Sequence, residues 1–157
     1  MIDDIALARA VHVLSVVHWI GGVSIVTTIV LPRASALPDA AQAVAAFEAF
    51  ERRFAAQARV SILLAGLSGL YMVAKYDAWY RFGYATFWWL HVMVAVWLVF
   101  ALMIYVLEPY AIHRWFHEFA LHQKDRAFAL ATRLHAAALL ASAIAIVAGV
   151  MGAHGGL

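Results

Sequence analysis

The sequence predicts an all-α integral membrane protein, an antiparallel four-helix bundle formed by one domain over residues 1–157. Three observations carry this prediction. Hydrophobic residues make up 66% of the chain and charged residues 13%, against about 45–50% and about 25% in soluble domains. The mean hydropathy is +0.85. Four apolar segments approach the ~20 residues that a spanning helix needs: 5–31, 56–74, 87–108 and 128–152.

The first span follows Asp3 and Asp4 with no basic stretch before it, so it reads as a retained helix and not a cleaved leader. Residues 32–53 read as an alanine-rich loop, punctuated by Pro32 and Pro38, with room for an interfacial helix. The second span has its apolar centre at 60–73 and extends back through 54–58. Its Ser61, Ala65, Ser68 and Gly69 suggest a packing helix. The connection 75–85 carries Tyr76, Trp79, Tyr80 and Tyr84, an aromatic belt at one membrane surface. Pro109 interrupts the end of the third span. Residues 110–125 are expected to form an interfacial segment before the fourth span, where His135, Ser142 and Gly149 recur every seven residues.

Basic residues set the orientation. Arg33, Arg52, Arg53, Arg59, Arg114, Lys124, Arg126 and Arg133 lie on or beside the two longer loops; Arg9, Lys75 and Arg81 lie on the other side. The positive-inside rule places the longer loops in the cytoplasm and both termini in the periplasm of a bacterial-type inner membrane. The net charge of +2 is scattered, which does not suggest nucleic acid as a partner. The absence of cysteine excludes disulfides, thiolate-held iron–sulfur clusters and c-type haem attachment. The lipid bilayer is the expected surrounding, and a homo-oligomer is compatible with the chain.

Four histidines, His12, His18, His91 and His135, lie inside these apolar spans. Ionisable groups in a bilayer are costly and mark functional sites by default, and haem iron is the first metal to consider. By helical rise, His12 and His91 fall at a similar outer depth, roughly 10 Å in, with His18 about 9 Å deeper and His135 roughly 25 Å down. The outer pair is expected to hold one haem b. His18 and His135 either ligate a second haem or bond to serine and backbone groups of neighbouring helices. Ser15 and Trp19 share an arc of the first helix with His12 and are further candidates for cofactor contact. Trp19 also reads as a packing residue, as do Trp88 and Trp89. Arg9, one turn above His12, is placed to pair with a propionate. His113 and His117 have a zinc-like spacing beside His122, but a solvated amphipathic segment explains them better. His154 reads as a tail residue.

The stretch from Ala10 to Gly22 reads AVHVLSVVHWIGG, and the span closes with Leu31, Pro32 and Arg33. This resembles the opening helix of the copper-resistance protein D (CopD)-like membrane proteins and of the related HemJ-type protoporphyrinogen oxidases. Glu51 to Phe54, leading into Gly66 to Leu70, resembles their second helix. Trp89, Leu90 and His91 resemble the start of the HemJ-type third helix. The resemblance implies a small four-helix membrane protein that binds haem b through His12 and His91. The chain departs from the HemJ-type pattern at Met93, where that family has lysine, and in carrying His18 and His135. These departures favour a bis-histidine cytochrome that moves electrons in or across the bilayer, with a quinone or another redox partner. Copper handling, with Met72, Met93, Met103 and Met151 beside the histidines, is the alternative. Protoporphyrinogen oxidation is the other.

Overall fold

The computed structural model describes residues 3–155, the side chains of Ala111 and His113 excepted. The described residues are helical almost throughout and include no strand. Four helical stretches are long and apolar enough to cross a membrane: Asp4–Ser35, Ala40–Lys75, Ala85–Tyr110 and Lys124–Ala153.

Helix α1 (Asp4–Ile25) is capped by Asp3, whose carboxylate accepts the Ile5 N–H at 3.0 Å. A π-helical turn, Val26–Val30, leads into α2 (Leu31–Ser35). Pro32 therefore does not break the chain, contrary to the sequence expectation. Proline cannot donate to the carbonyl one turn back, and its ring crowds that carbonyl. A π turn widens the helix and relieves both problems. Thr27 and Thr28 hydroxyls donate to the Val23 and Ser24 carbonyls at 2.7 and 2.8 Å in the same turn. Pro109 is accommodated likewise. Helix α4 (Trp88–Leu102) widens into a ten-residue π segment, Met103–Ile112, which contains Pro109 and runs straight into α5 (His113–His122).

Pro38 does end its helix. Asp39 then caps α3 (Ala40–Lys75), accepting the Gln42 N–H at 2.8 Å. The segment 32–53, expected as a loop with room for an interfacial helix, is thus largely helical. Its greater part is the first half of a 36-residue helix, about 54 Å long at 1.5 Å per residue. A bilayer core is about 30 Å thick, so the half rich in Glu and Arg projects beyond any membrane that α3 crosses. There it packs with α2, α5 and the start of α6 (Lys124–Ala153) into a cap. Phe47, Phe116 and Phe128 form its centre, with ring centroids 5.1–6.0 Å apart. Leu31, Ala43 and Ala120 are wholly buried around them. Lys124 Nζ donates to the Leu37 carbonyl at 2.6 Å and ties α6 to the α2–α3 turn.

Away from the cap the helices meet through small residues. A Cβ on Gly66 would lie 2.4 Å from the Trp97 ring, and one on Gly152 2.4 Å from Trp89. Met93 fills the gap over Gly149 in the same way. Trp97 is held further by donating to the Ile62 carbonyl at 2.8 Å. The outward faces are apolar: Leu14, Val99 and Leu140 are 68%, 60% and 63% exposed. Tyr76, Trp79, Tyr80 and Tyr84 are exposed together in the short connection between α3 and α4, which begins at Asp77 in the left-handed conformation (φ 47°).

Candidate functional site: the histidines of the apolar helices

His12 and His18 both sit on the seam between α1 and α3. The half-buried His12 ring has Nδ1 2.9 Å from the Ala65 carbonyl and 3.2 Å from the Ser68 hydroxyl. A carbonyl only accepts, so Nδ1 carries the proton and donates, which leaves Nε2 as the lone-pair nitrogen of the neutral ring. Ser68 itself donates to Leu64 at 2.6 Å. Gly69 lets the His12 ring lie close, 3.4 Å from where a Cβ would stand. His18 has Nδ1 2.8 Å from the Ser61 hydroxyl. No hydrogen bond engages Nε2 of either ring among the described residues. Ser61, Ala65 and Ser68 are all buried, so the small polar face of α3 is the surface that receives both imidazoles.

His91 and His135 are held differently. His91 lies between two carbonyls, with Nδ1 3.0 Å from Phe87, one turn back in its own chain, and Nε2 3.2 Å from Phe82. A neutral ring donates to only one of them. His135 Nδ1 donates to Ala131 at 2.9 Å. The exposed His122 and His154 make the same bond to the residue four back. That bond is the default for a helical histidine in this molecule and does not mark a site. No hydrogen bond joins any two of the four histidines.

The other candidate contacts fall nearby. Ser15 is buried between the levels of His12 and His18. Trp19 is 3% exposed and meets Phe100 edge to face at 4.6 Å, in a layer with Val23, Ala58 and Ile62. Its indole N–H has no partner among the described residues. Arg9 is exposed and donates to the Tyr76 hydroxyl at 2.8 Å. Beside it Asp4 receives Lys75 at 2.6 Å and the Tyr71 hydroxyl at 2.7 Å. The hydrogen bonds from Lys75 and then Tyr71 hold the Asp4 carboxyl below its ordinary range.

Among the described residues no three His, Asp or Glu side chains gather closely enough to hold a metal ion. Of the two histidines with zinc-like spacing, the His113 side chain lies outside the described residues, and His117 turns to Glu48, 2.8 Å away.

A polar cluster at the cap escaped the sequence reading. Arg59 pairs with Glu108 at 2.5 Å and donates through Nε to the Ile104 carbonyl at 3.4 Å, while the Tyr105 hydroxyl donates to the Arg59 carbonyl at 2.6 Å. These bonds staple α3 to the π segment. Glu48, 8% exposed, takes His117. Glu51 stands near both pairs, and its side chain makes no hydrogen bond among the described residues. Burial first, and then the charges of Glu108 and Glu48, push its carboxyl up to about 7. The signal was present as one base and one acid, Arg59 and Glu108, each bordering an apolar run. No family model matches the chain, and comparison with curated proteins and with solved structures gives no match.

Proposed function

We propose that the chain is an inner-membrane haem b protein that carries electrons in or across the bilayer, drawing on a quinone or another small redox partner. In this reading its four long helices cross the membrane as an antiparallel bundle, with the cap in the cytoplasm and both termini in the periplasm. The single observation that supports it best is the state of His12. Its Nδ1–H is anchored on a backbone carbonyl of a neighbouring helix, which fixes the tautomer and orients Nε2, as the outer partners of metal-binding imidazoles do.

A haem supplies four of the iron's ligands itself, so one or two such imidazoles suffice. A copper site made of protein donors alone needs several at one point. That favours haem over a copper site built from His, Asp or Glu, since no three of these gather among the described residues. Bound between two imidazoles, haem b supplies reversible one-electron transfer. His12 is the first ligand in this reading. His91 is the second, by turning Nε2 away from its 3.2 Å contact with Phe82. Arg9, held by Tyr76, stands one turn outward for a propionate. Trp19 and Phe100 close the layer below against water. His18 is the anchored imidazole available to a second haem, with His135 as its partner. The CopD-like and HemJ-type likeness remains part of this proposal. Against the oxidase, position 93 carries Met93, packed over Gly149.

The detergent-purified chain, expressed with ample haem, is expected to show a Soret band and a low-spin bis-imidazole spectrum. His12→Ala is expected to abolish that spectrum or turn it high-spin. A colourless protein overturns the haem reading, and an unchanged low-spin spectrum in His12→Ala removes His12 as a ligand.

A further inference from the structure

At the base of the cap a groove of about 430 Å³ opens between α2 and α6, lined by Ser35, Asp125, Phe128, Ala129, Thr132 and Arg133. Arg133 is exposed and makes no ion pair or hydrogen bond among the described residues, and the Thr132 hydroxyl has no partner either. The Ser35 hydroxyl bonds back to the Pro32 carbonyl at 3.0 Å. The one carboxylate, Asp125, stands at the rim, 94% exposed and 3.9 Å from Lys124. The groove thus presents a free guanidinium and a free hydroxyl beside apolar walls.

Depth decides what fits it. Arg133 lies twenty residues before Ala153, the end of α6, which is about 30 Å of helix and the thickness of a hydrocarbon core. If Ala153 marks one edge of the bilayer, Arg133 marks the other. An unpaired cation and hydroxyl at that level, above outward-facing Leu134 and Leu140 (58% and 63% exposed), complement a phosphate carried on acyl chains. We infer that this groove binds the phosphate head of an anionic phospholipid, held by Arg133 and Thr132 while the acyl chains lie along α6. The inference rests on the membrane reading but not on the haem. It would fasten the cap to the inner leaflet at the point where α2 turns into α3.

Native mass spectrometry of the full chain in detergent, given phosphatidylglycerol or phosphatidylcholine at equal concentration, tests this. Phosphatidylglycerol is expected to bind in preference, and Arg133→Gln to weaken it about fivefold, the effect of one basic residue beside an anionic membrane surface. Thr132→Val should weaken it less. Arg33→Gln, an exposed arginine outside the groove, should leave it unchanged. Neither arginine has a partner among the described residues, so both variants are expected to fold, which circular dichroism checks. Equal loss in Arg33→Gln means diffuse surface charge and overturns the site. Displacement of the lipid by inorganic phosphate means a soluble-anion site and overturns it too. Absence of any preference in a chain that resists carbonate extraction sinks the lipid site alone. Release of the chain by carbonate sinks the membrane reading instead.

Discussion

Glu51 is the residue whose chemistry the fold alters most outside the spans. Its neighbours Glu48 and Glu108 each have a cationic or protonatable partner, His117 and Arg59, whereas Glu51 has none among the described residues. A carboxyl pushed up to about 7 from 4.5 binds a proton in the folded state that the unfolded chain has already lost. Stability is therefore full below about pH 4.5 and falls as pH rises toward 7. The loss is at most on the order of 3 kcal/mol. Glu51→Gln is expected to flatten this dependence and to be more stable than the parent above pH 7, as read from thermal unfolding over a pH series. A parent whose stability is flat or rises across that window contradicts the assignment.

At the scale of elements, close approach between helices decides which glycines are needed. Among the described residues Gly21 has nothing within 4 Å of where a Cβ would stand, whereas Gly66 faces the Trp97 ring at 2.4 Å, and Trp97 is pinned by its bond to Ile62. Gly21→Ala is expected to stabilise by up to ~1 kcal/mol through helix propensity. Gly66→Ala is expected to destabilise by about 1–3 kcal/mol through overpacking. Gly149→Ala should cost less than Gly66→Ala, because the thioether of Met93 is flexible. Thermal unfolding in detergent ranks the three, and a stabilising Gly66→Ala would contradict the packing described. The π segments belong to this scale as well. They let α1 and α4 pass Pro32 and Pro109 without stopping, so the helices reach the cap that a break would have denied them.

Over the whole molecule, four of the six largest fully buried side chains, Val26, Leu31, Val44 and Phe128, belong to the cap, and the long helices expose apolar faces. That distribution fits a bundle surrounded by lipid with its cap in water. Eight of the eleven basic residues lie at or beside the cap in the orientation proposed. A periplasm-active reporter fused at the C-terminus is expected to be active, and protease added to inside-out vesicles is expected to cut at the exposed turn of Ala36, Pro38 and Asp39. A reporter active only in the cytoplasm reverses the topology.

Composition and hydropathy by themselves determined the number of long apolar helices, because burial in lipid demands about twenty apolar residues per crossing whatever the partners. The small polar face of Ser61, Ala65 and Ser68 was legible for the same reason, since spacing along one helix sets what shares a face. The first half of α3 was legible in part: its alanine-rich run has high helix propensity and left room for an interfacial helix, but its continuity with the second span was not legible. Tertiary structure alone decided which groups meet. Arg9 finds Tyr76 sixty-seven residues away, and His117 finds Glu48 sixty-nine residues away. His12 bonds to the backbone of α3 and His91 to carbonyls of its own chain segment, because depth along a helix is one coordinate and the partners of a side chain depend on three. Rotation of each helix about its axis is set by side-chain packing, such as Trp97 on Gly66, and no periodicity within a single segment contains it.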